Sequence, residues 1–179
     1  IVLRDRNHPS IVAWSPFNET RSGAESVEHE RVHRDASRLT RGLDPTRPVN
    51  DTSGYVHRDT DLWTVHTYEQ DPAALEAQLS PDRENGVFRN YPDLEAMYSG
   101  QAYIVDEFGG IKWDPATQRD ESSGDRKQSW GYGKAPADIE EFYARLEKLV
   151  GVIVGYDHIA GYCYTQLTDV EQEKNGIYF

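Results

Sequence analysis

Short apolar runs alternate with amphipathic stretches along this chain. Residues 11–15 form one apolar run. Asn18-Glu19-Thr20 follows, and Ser22-Gly23-Ala24-Glu25 then gives a capping-box spacing that predicts a helix to about Arg41, ended by Gly42. Leu43-Asp44-Pro45-Thr46-Arg47-Pro48 is turn chemistry, with a short strand expected at Val49-Asn50-Asp51. Residues 62–68 are β-rich. Asp71-Pro72 supplies a cap and a first-turn proline for a helix to about Leu79, and a second helical piece is expected near residues 94–99. Residues 102–106 form another apolar strand, ending at Glu107 and two glycines. Asp138 with Glu141 repeats the capping pattern. Ile139, Phe142, Tyr143, Leu146, Leu149, Val150 and Ile153 then recur at the spacing of one helix face. Residues 159–165 read as a buried strand.

Strand, loop and helix in repetition predict a parallel α/β fold, whose strands are short and apolar because helices cover both faces. Five strands are expected, near residues 12, 49, 65, 104 and 162. A complete (β/α)8 TIM barrel takes about 250 residues, so five units in 179 residues predict a partial barrel lacking its first three. A doubly wound sheet would call for a GxGxxG or GxxxxGK[ST] turn, and the sequence has neither. Residues 111–136 are polar and Gly-rich without periodicity, too long for an ordinary connection, and so predict a functional loop.

Composition narrows the chemistry. With 31 acidic and 19 basic residues the net charge is −12, a field that repels nucleic acid and anionic lipid. No apolar stretch approaches the roughly 18 residues of a membrane span, and the chain opens at Ile1 without a basic-then-apolar leader. Compartment stays open. The single Cys163 cannot close an intrachain disulfide and is expected as a packed, inert thiol. His29, His33, His57 and His158 lack metal-ligand spacing of the HExxH kind, so no metal or cofactor is called for. Eleven Tyr and four Trp, many near carboxylates, offer flat faces with polar edges that suit sugars.

Two acids stand at equivalent places: Glu19 follows the run 11–15, and Glu107 follows the run 102–106. In a parallel barrel all strands end on one rim, where active sites lie. Two carboxylates meeting in one cleft are what glycosidic cleavage requires. The bland alternatives are a helix-capping carboxylate for Glu19 and a turn acid for Glu107.

Ordered motifs add a resemblance. Arg4-Asp5-Arg6-Asn7-His8-Pro9-Ser10-Ile11 with Trp14-Ser15 and Asn18-Glu19 resembles the signature of glycoside hydrolase family 2, which holds β-galactosidases, β-glucuronidases and β-mannosidases. Leu43 through Val49, Val65-His66-Thr67-Tyr68, Tyr103 through Gly110, residues 161–169 and Asn175-Gly176-Ile177-Tyr178 continue the likeness in order, as barrel strands five to eight and their sequels. The resemblance implies a retaining hydrolase of terminal β-glycosides, β-galactoside-like, with Glu19 as acid/base and Glu107 as nucleophile. It implies sugar contacts for Asn18, on the 2-hydroxyl, and for His66. It puts Tyr68 beside the nucleophile and Tyr164 where relatives carry a Trp platform. Trp130 and Tyr132, in the long loop, are candidates for an aglycon wall.

The same reading assigns Arg4, Arg6 and His8 to structure and excludes Asp106, which strand alternation turns away from Glu107. Lys174 and Asn175 resemble the Asn and Lys that hold a uronic carboxylate, but in different order and spacing. The expected partner is a carbohydrate, with no nucleic acid or membrane; homo-oligomerisation is left open. The fragment alone is expected to be inactive, or to fold only with help from a partner copy. The alternatives are a non-catalytic carbohydrate-binding barrel, or a scaffold fragment without sugar affinity.

Overall fold

The computed structural model describes residues 1–82, 86–115 and 129–178. Its elements are α1 (Val2–Asp5), α2 (Val27–Leu43), β1 (Leu62–Thr67), α3 (Pro72–Leu79), β2 (Ala102–Gly109), α4 (Ile139–Val154) and β3 (Ile159–Thr165). The three strands are parallel and hydrogen-bond in the order β1-β2-β3. The helices α3 and α4 are therefore crossovers between neighbouring parallel strands. Both start where the caps predict: Asp71 accepts from the Ala74 amide at 2.9 Å, and Asp138 from the Glu141 amide at 2.8 Å.

Several boundaries differ from the sequence expectation. Helix α2 begins at Val27, because Gly23 (φ +73°) turns the chain and Ser26 is the cap, accepting from the His29 amide. It also runs through Gly42 to Leu43, where Asp44 stops it. Residues 11–18 and 49–53 are joined only by single parallel bridges, Trp14 to Val49 and Asn18 to Ser53, and form no ladder. Pro16 lies between the two bridges and has no amide to donate. No helix forms over 94–99: after a turn at 92–94 the Ala96 amide is drawn to the His57 carbonyl at 2.8 Å. The strand β3 is only part-covered, with Tyr162 and Cys163 exposed, so the thiol is not packed as expected. Within the loop expected over 111–136, residues 116–128 lie outside the described residues. Its flanks are stitched by bridges between Ile111 and Tyr132 and between Trp130 and Glu173.

The chain divides into two compact units. The first takes Ile1–His66, Pro81–Asp106 and His158–Gly161; the second takes Thr67–Ser80, Glu107–Asp157 and Tyr162–Phe179. The first unit buries Val49, Val56, Trp63, Val65, Tyr103 and Val105. Among them sits a polar pair: His57 Nδ1 meets Asp51 Oδ1 at 2.7 Å with both side chains fully enclosed. Burial opposes the charge on His57, yet the Asp51 hydrogen bond and charge outweigh it and raise its proton affinity. Asp51 also accepts from the Arg58 and Asp59 amides, which fixes the loop carrying Ser53 and Gly54. The second unit packs α3 against α4, with Leu75, Leu79, Leu149 and Ile153 buried and Phe108, Ile111 and Phe142 completing its core.

Candidate active site

Glu19 belongs to the first unit. Its amide donates to the Ser53 carbonyl at 3.1 Å, and its backbone sits at φ +52°, a left-handed conformation rare outside glycine. Its carboxylate Oε1 lies 2.7 Å from His66 Nδ1, and the imidazole is almost wholly enclosed. The other ring nitrogen, Nε2, is 3.1 Å from Ser53 Oγ, which donates to Asp106 Oδ2 at 2.7 Å. Asp106 Oδ1 is 3.3 Å from Nε2 but makes no hydrogen bond, so its pull on the ring is electrostatic. Gly54 (φ +60°) makes room for this ring, since a Cβ there would stand 2.4 Å from it. Tyr55 tilts against His66 from the same turn, its ring centroid 5.7 Å away. Asn18 is exposed and, with Glu19, Arg21, Ser22 and His29, borders a cleft of about 450 Å³. Behind that cleft His33 stacks on His29 and Phe17, and burial pushes it down to about 4, so it is neutral at physiological pH.

Glu107 belongs to the second unit. Tyr68, just past β1, donates its hydroxyl to Glu107 Oε2. Burial first, and then this bond, raise the phenol well above its ordinary value, so it stays protonated and donates to the carboxylate. The Tyr68 ring is stacked on Tyr132 at 3.6 Å, and Trp130 meets Tyr132 edge-on at 6.0 Å, 46% exposed. Two left-handed glycines follow the acid. Gly109 (φ +81°) lies under the Tyr164 ring, and Gly110 (φ +59°) under Tyr132 and Tyr68. Tyr164 accepts from the Ile111 amide and meets Phe108 edge-on at 5.6 Å, and burial pushes its phenol up to about 12.

The candidates named from the sequence thus fall into two groups: Asn18, Glu19 and His66 in the first unit; Tyr68, Glu107, Trp130, Tyr132 and Tyr164 in the second. Two further residues matter that the sequence does not single out. Ser53 looks like an ordinary turn serine in sequence. Asp106, set aside because alternation is expected to turn it from Glu107, faces Ser53 and His66. Lys174 and Asn175 are engaged within the chain, Lys174 with Asp169 at 3.2 Å and Asn175 with Glu173 and Gln166. Arg6 donates to the Leu43 carbonyl and Arg47 to the His8 carbonyl, structural roles for that opening motif.

Comparison with known proteins follows the same residues. The model of the family described as "Glycosyl hydrolases family 2, TIM barrel domain" matches residues 1–109. A β-galactosidase of Enterobacter cloacae is 44% identical over 54 residues, 30% of this chain and 5% of that protein. Among solved structures, a β-D-glucuronidase of Dictyoglomus thermophilum matches 97% of this chain and 29% of its own, at 22% identity and TM-score 0.60. The Bacteroides uniformis β-glucuronidase matches 97% and 22%, at 19% identity and TM-score 0.62. A β-galacturonidase of Eisenbergiella tayi, bound to galacturonate, matches 91% and 27%, at 14% identity and TM-score 0.54. The chain therefore spans less than a third of the length of each of these relatives.

Proposed function

This chain belongs to family 2 of the glycosyl hydrolases, and from that premise we propose that it is strands four to eight of a partial (β/α)8 barrel that hydrolyses terminal β-glycosides with retention. Glu19 is the acid/base and Glu107 the nucleophile. Glu107 attacks the anomeric carbon and the glycosidic C–O bond breaks as Glu19 gives its proton to the departing oxygen. Water then attacks the glycosyl ester and yields its proton to Glu19, and Glu107 leaves as carboxylate.

One observation carries this reading. Glu19 is held by His66 and Glu107 by Tyr68, and these two holders are separated by a single residue at the end of β1. Residues i and i+2 of an extended segment face the same side, about 7 Å apart. Retention uses a pair of carboxylates about 5 Å apart, and each of the two acids here has its own holder on that segment. Asn18 precedes Glu19 as the 2-hydroxyl contact. Tyr164 supplies a ring beside Gly109, and Trp130 with Tyr132 forms the aglycon wall.

The sugar is a neutral β-glycoside, β-galactoside-like. In favour of this, Lys174 and Asn175 are already committed to Asp169, Glu173 and Gln166, which leaves them poorly placed for a uronic carboxylate. The test is inactivation of the full polypeptide with a 2-fluoroglycoside, followed by peptide mapping. Label on Glu107, abolished in Glu107→Gln, is expected. Label on another residue, or turnover that survives Glu107→Gln, overturns the reading.

A further inference from the structure

The arrangement behind Glu19 has a direction. Ser53 has one hydroxyl proton and gives it to Asp106 Oδ2 at 2.7 Å. Its oxygen lone pairs then face His66 Nε2 at 3.1 Å, which must be the protonated ring nitrogen to bond there. In the neutral ring the other nitrogen, Nδ1, then carries a lone pair, and that lone pair faces Glu19 Oε1 at 2.7 Å. Such a contact is attractive only with a proton in it. We propose that Ser53 and Asp106 are positioning residues that fix the tautomer of His66 and thereby keep a proton in the Glu19–His66 contact, ready for the acid step.

The enclosure supports this role. His66 is about 2% exposed, its amide donates to Asn90 Oδ1, and its carbonyl accepts from Asn90 Nδ2. Asn90 thus fixes the His66 backbone, and the ring is held by its contacts at Nδ1 and Nε2. The charged and titratable groups facing it are Glu19 on one side, Asp106 on the other and the phenol of Tyr55 against its face. The proposed active site adds the charge of Glu107. Asp106 lies behind the ring, its Oδ1 3.3 Å from Nε2, where an acceptor oxygen suits a proton on that nitrogen. When Glu19 later works as the base, the proton it takes from water restores the same contact. With both ring nitrogens engaged in this way, His66 serves Glu19 and has no nitrogen left for a sugar hydroxyl.

The proposal rests on the glycosidase reading for its kinetic consequence but not for its tautomer. Asp106→Asn tests it sharply. An amide whose N–H faces Ser53 leaves the hydroxyl to give its own proton to Nε2. The ring is left with Nδ1–H pointing at Glu19, which holds that carboxylate ionised. Histidine-selective ¹⁵N labelling of the full polypeptide should report Nε2–H for His66 in the parent and Nδ1–H in Asp106→Asn. In kinetics, the alkaline limb of kcat/KM should move down by about one pH unit or more. An alkyl glycoside, which needs the acid, should lose at least ten times more rate than a dinitrophenyl glycoside, whose leaving group does not.

Ser53→Ala deletes only the hydroxyl and should shift the limb in the same direction by less. An Nδ1–H tautomer in the parent, or an unmoved tautomer in both variants, overturns the proposal. So does equal loss on the two substrates, the mark of a merely structural role. If Glu107→Gln retains turnover the glycosidase reading falls, while the nitrogen spectrum still decides the hydrogen-bond chain.

Discussion

The surroundings of Glu19 and of Glu107 are built from different materials. Glu19 rests on groups that titrate: His66, then Asp106, with the buried His57–Asp51 pair fixing the loop that supplies Ser53 and Gly54. Glu107 rests on a phenol that does not titrate in the working range, on stacked rings and on two left-handed glycines. The backbone shows the same division. In the first unit the acid itself occupies the positive-φ position, whereas in the second the glycines after the acid do so. On the proposed roles, the group that gains and loses a proton each turnover is coupled to other proton carriers, and the group that stays ionised has a fixed donor and a rigid wall. The first unit should therefore respond to pH and the second to volume.

The largest expected effect removes the buried imidazole. His57→Ala leaves the Asp51 charge enclosed without its partner and should cost about 4 kcal/mol near pH 6, read from denaturant midpoints. Because the folded pKa of His57 is raised, its contribution is complete below the unfolded value of about 6.5. It fades as pH rises through the folded value, so the penalty of the variant should shrink with it. A loss under about 1 kcal/mol at pH 6 would mean that the Arg58 and Asp59 amides alone satisfy Asp51, and the contrast between the units would weaken.

Next comes Glu95, whose carboxylate is fully enclosed with the Arg89 Nε 4.0 Å away. Burial pushes it up to about 7. The folded state thus holds its proton more tightly than the unfolded chain. Stability is greatest below the unfolded pKa and falls as pH rises from there through 7. Glu95→Gln removes that slope. The variant should gain about 3 kcal/mol on the parent between pH 5 and pH 8, and a constant difference across that range would contradict the assignment.

In the second unit Gly109→Ala brings a Cβ within 2.3 Å of the Tyr164 ring at φ +81°. The left-handed penalty and the overpacking together should cost about 2 kcal/mol. The cost should be flat from pH 5 to pH 8, in contrast to both variants above.

Much of this is legible in the chain. Asp71-Pro72 and Asp138 mark helix starts because capping is local chemistry that tertiary structure seldom overrides. The strands near 65, 104 and 162 are legible because each is a continuous apolar run, although the last is only part-covered. Glu19 and Glu107 stand out because each follows such a run and because ordered motifs surround them. What escapes reading depends on contacts between distant residues. Pairing of residues 11–15 with 49–51 fails to become a ladder at Pro16, and no local pattern shows what Pro16 would have faced. The cap of α2 moves to Ser26 because Gly23 turns left-handed, a choice glycine leaves open. Asp106 is set aside by a rule of alternation, which says where a side chain is expected not to point but not what awaits it. Ser53 acquires its meaning only from residues 66 and 106.

The smallest effect returns to the backbone of the two acids. At Glu19 the residue itself sits at φ +52°, where any side chain with a Cβ costs roughly 1 kcal/mol relative to glycine. Glu19→Ala and Glu19→Gly both remove the carboxylate and its bond to His66, so their difference isolates the conformation. In ordinary extended or helical backbone alanine would be the more stable of the two. Here glycine is expected to be more stable by about 1 kcal/mol, measured by paired denaturant titrations at one pH. If alanine proves the better residue, the positive φ at Glu19 is not a stored cost. Glu19 would then be seated in relaxed backbone like Glu107, and only the hydrogen-bond partners would still separate the two units.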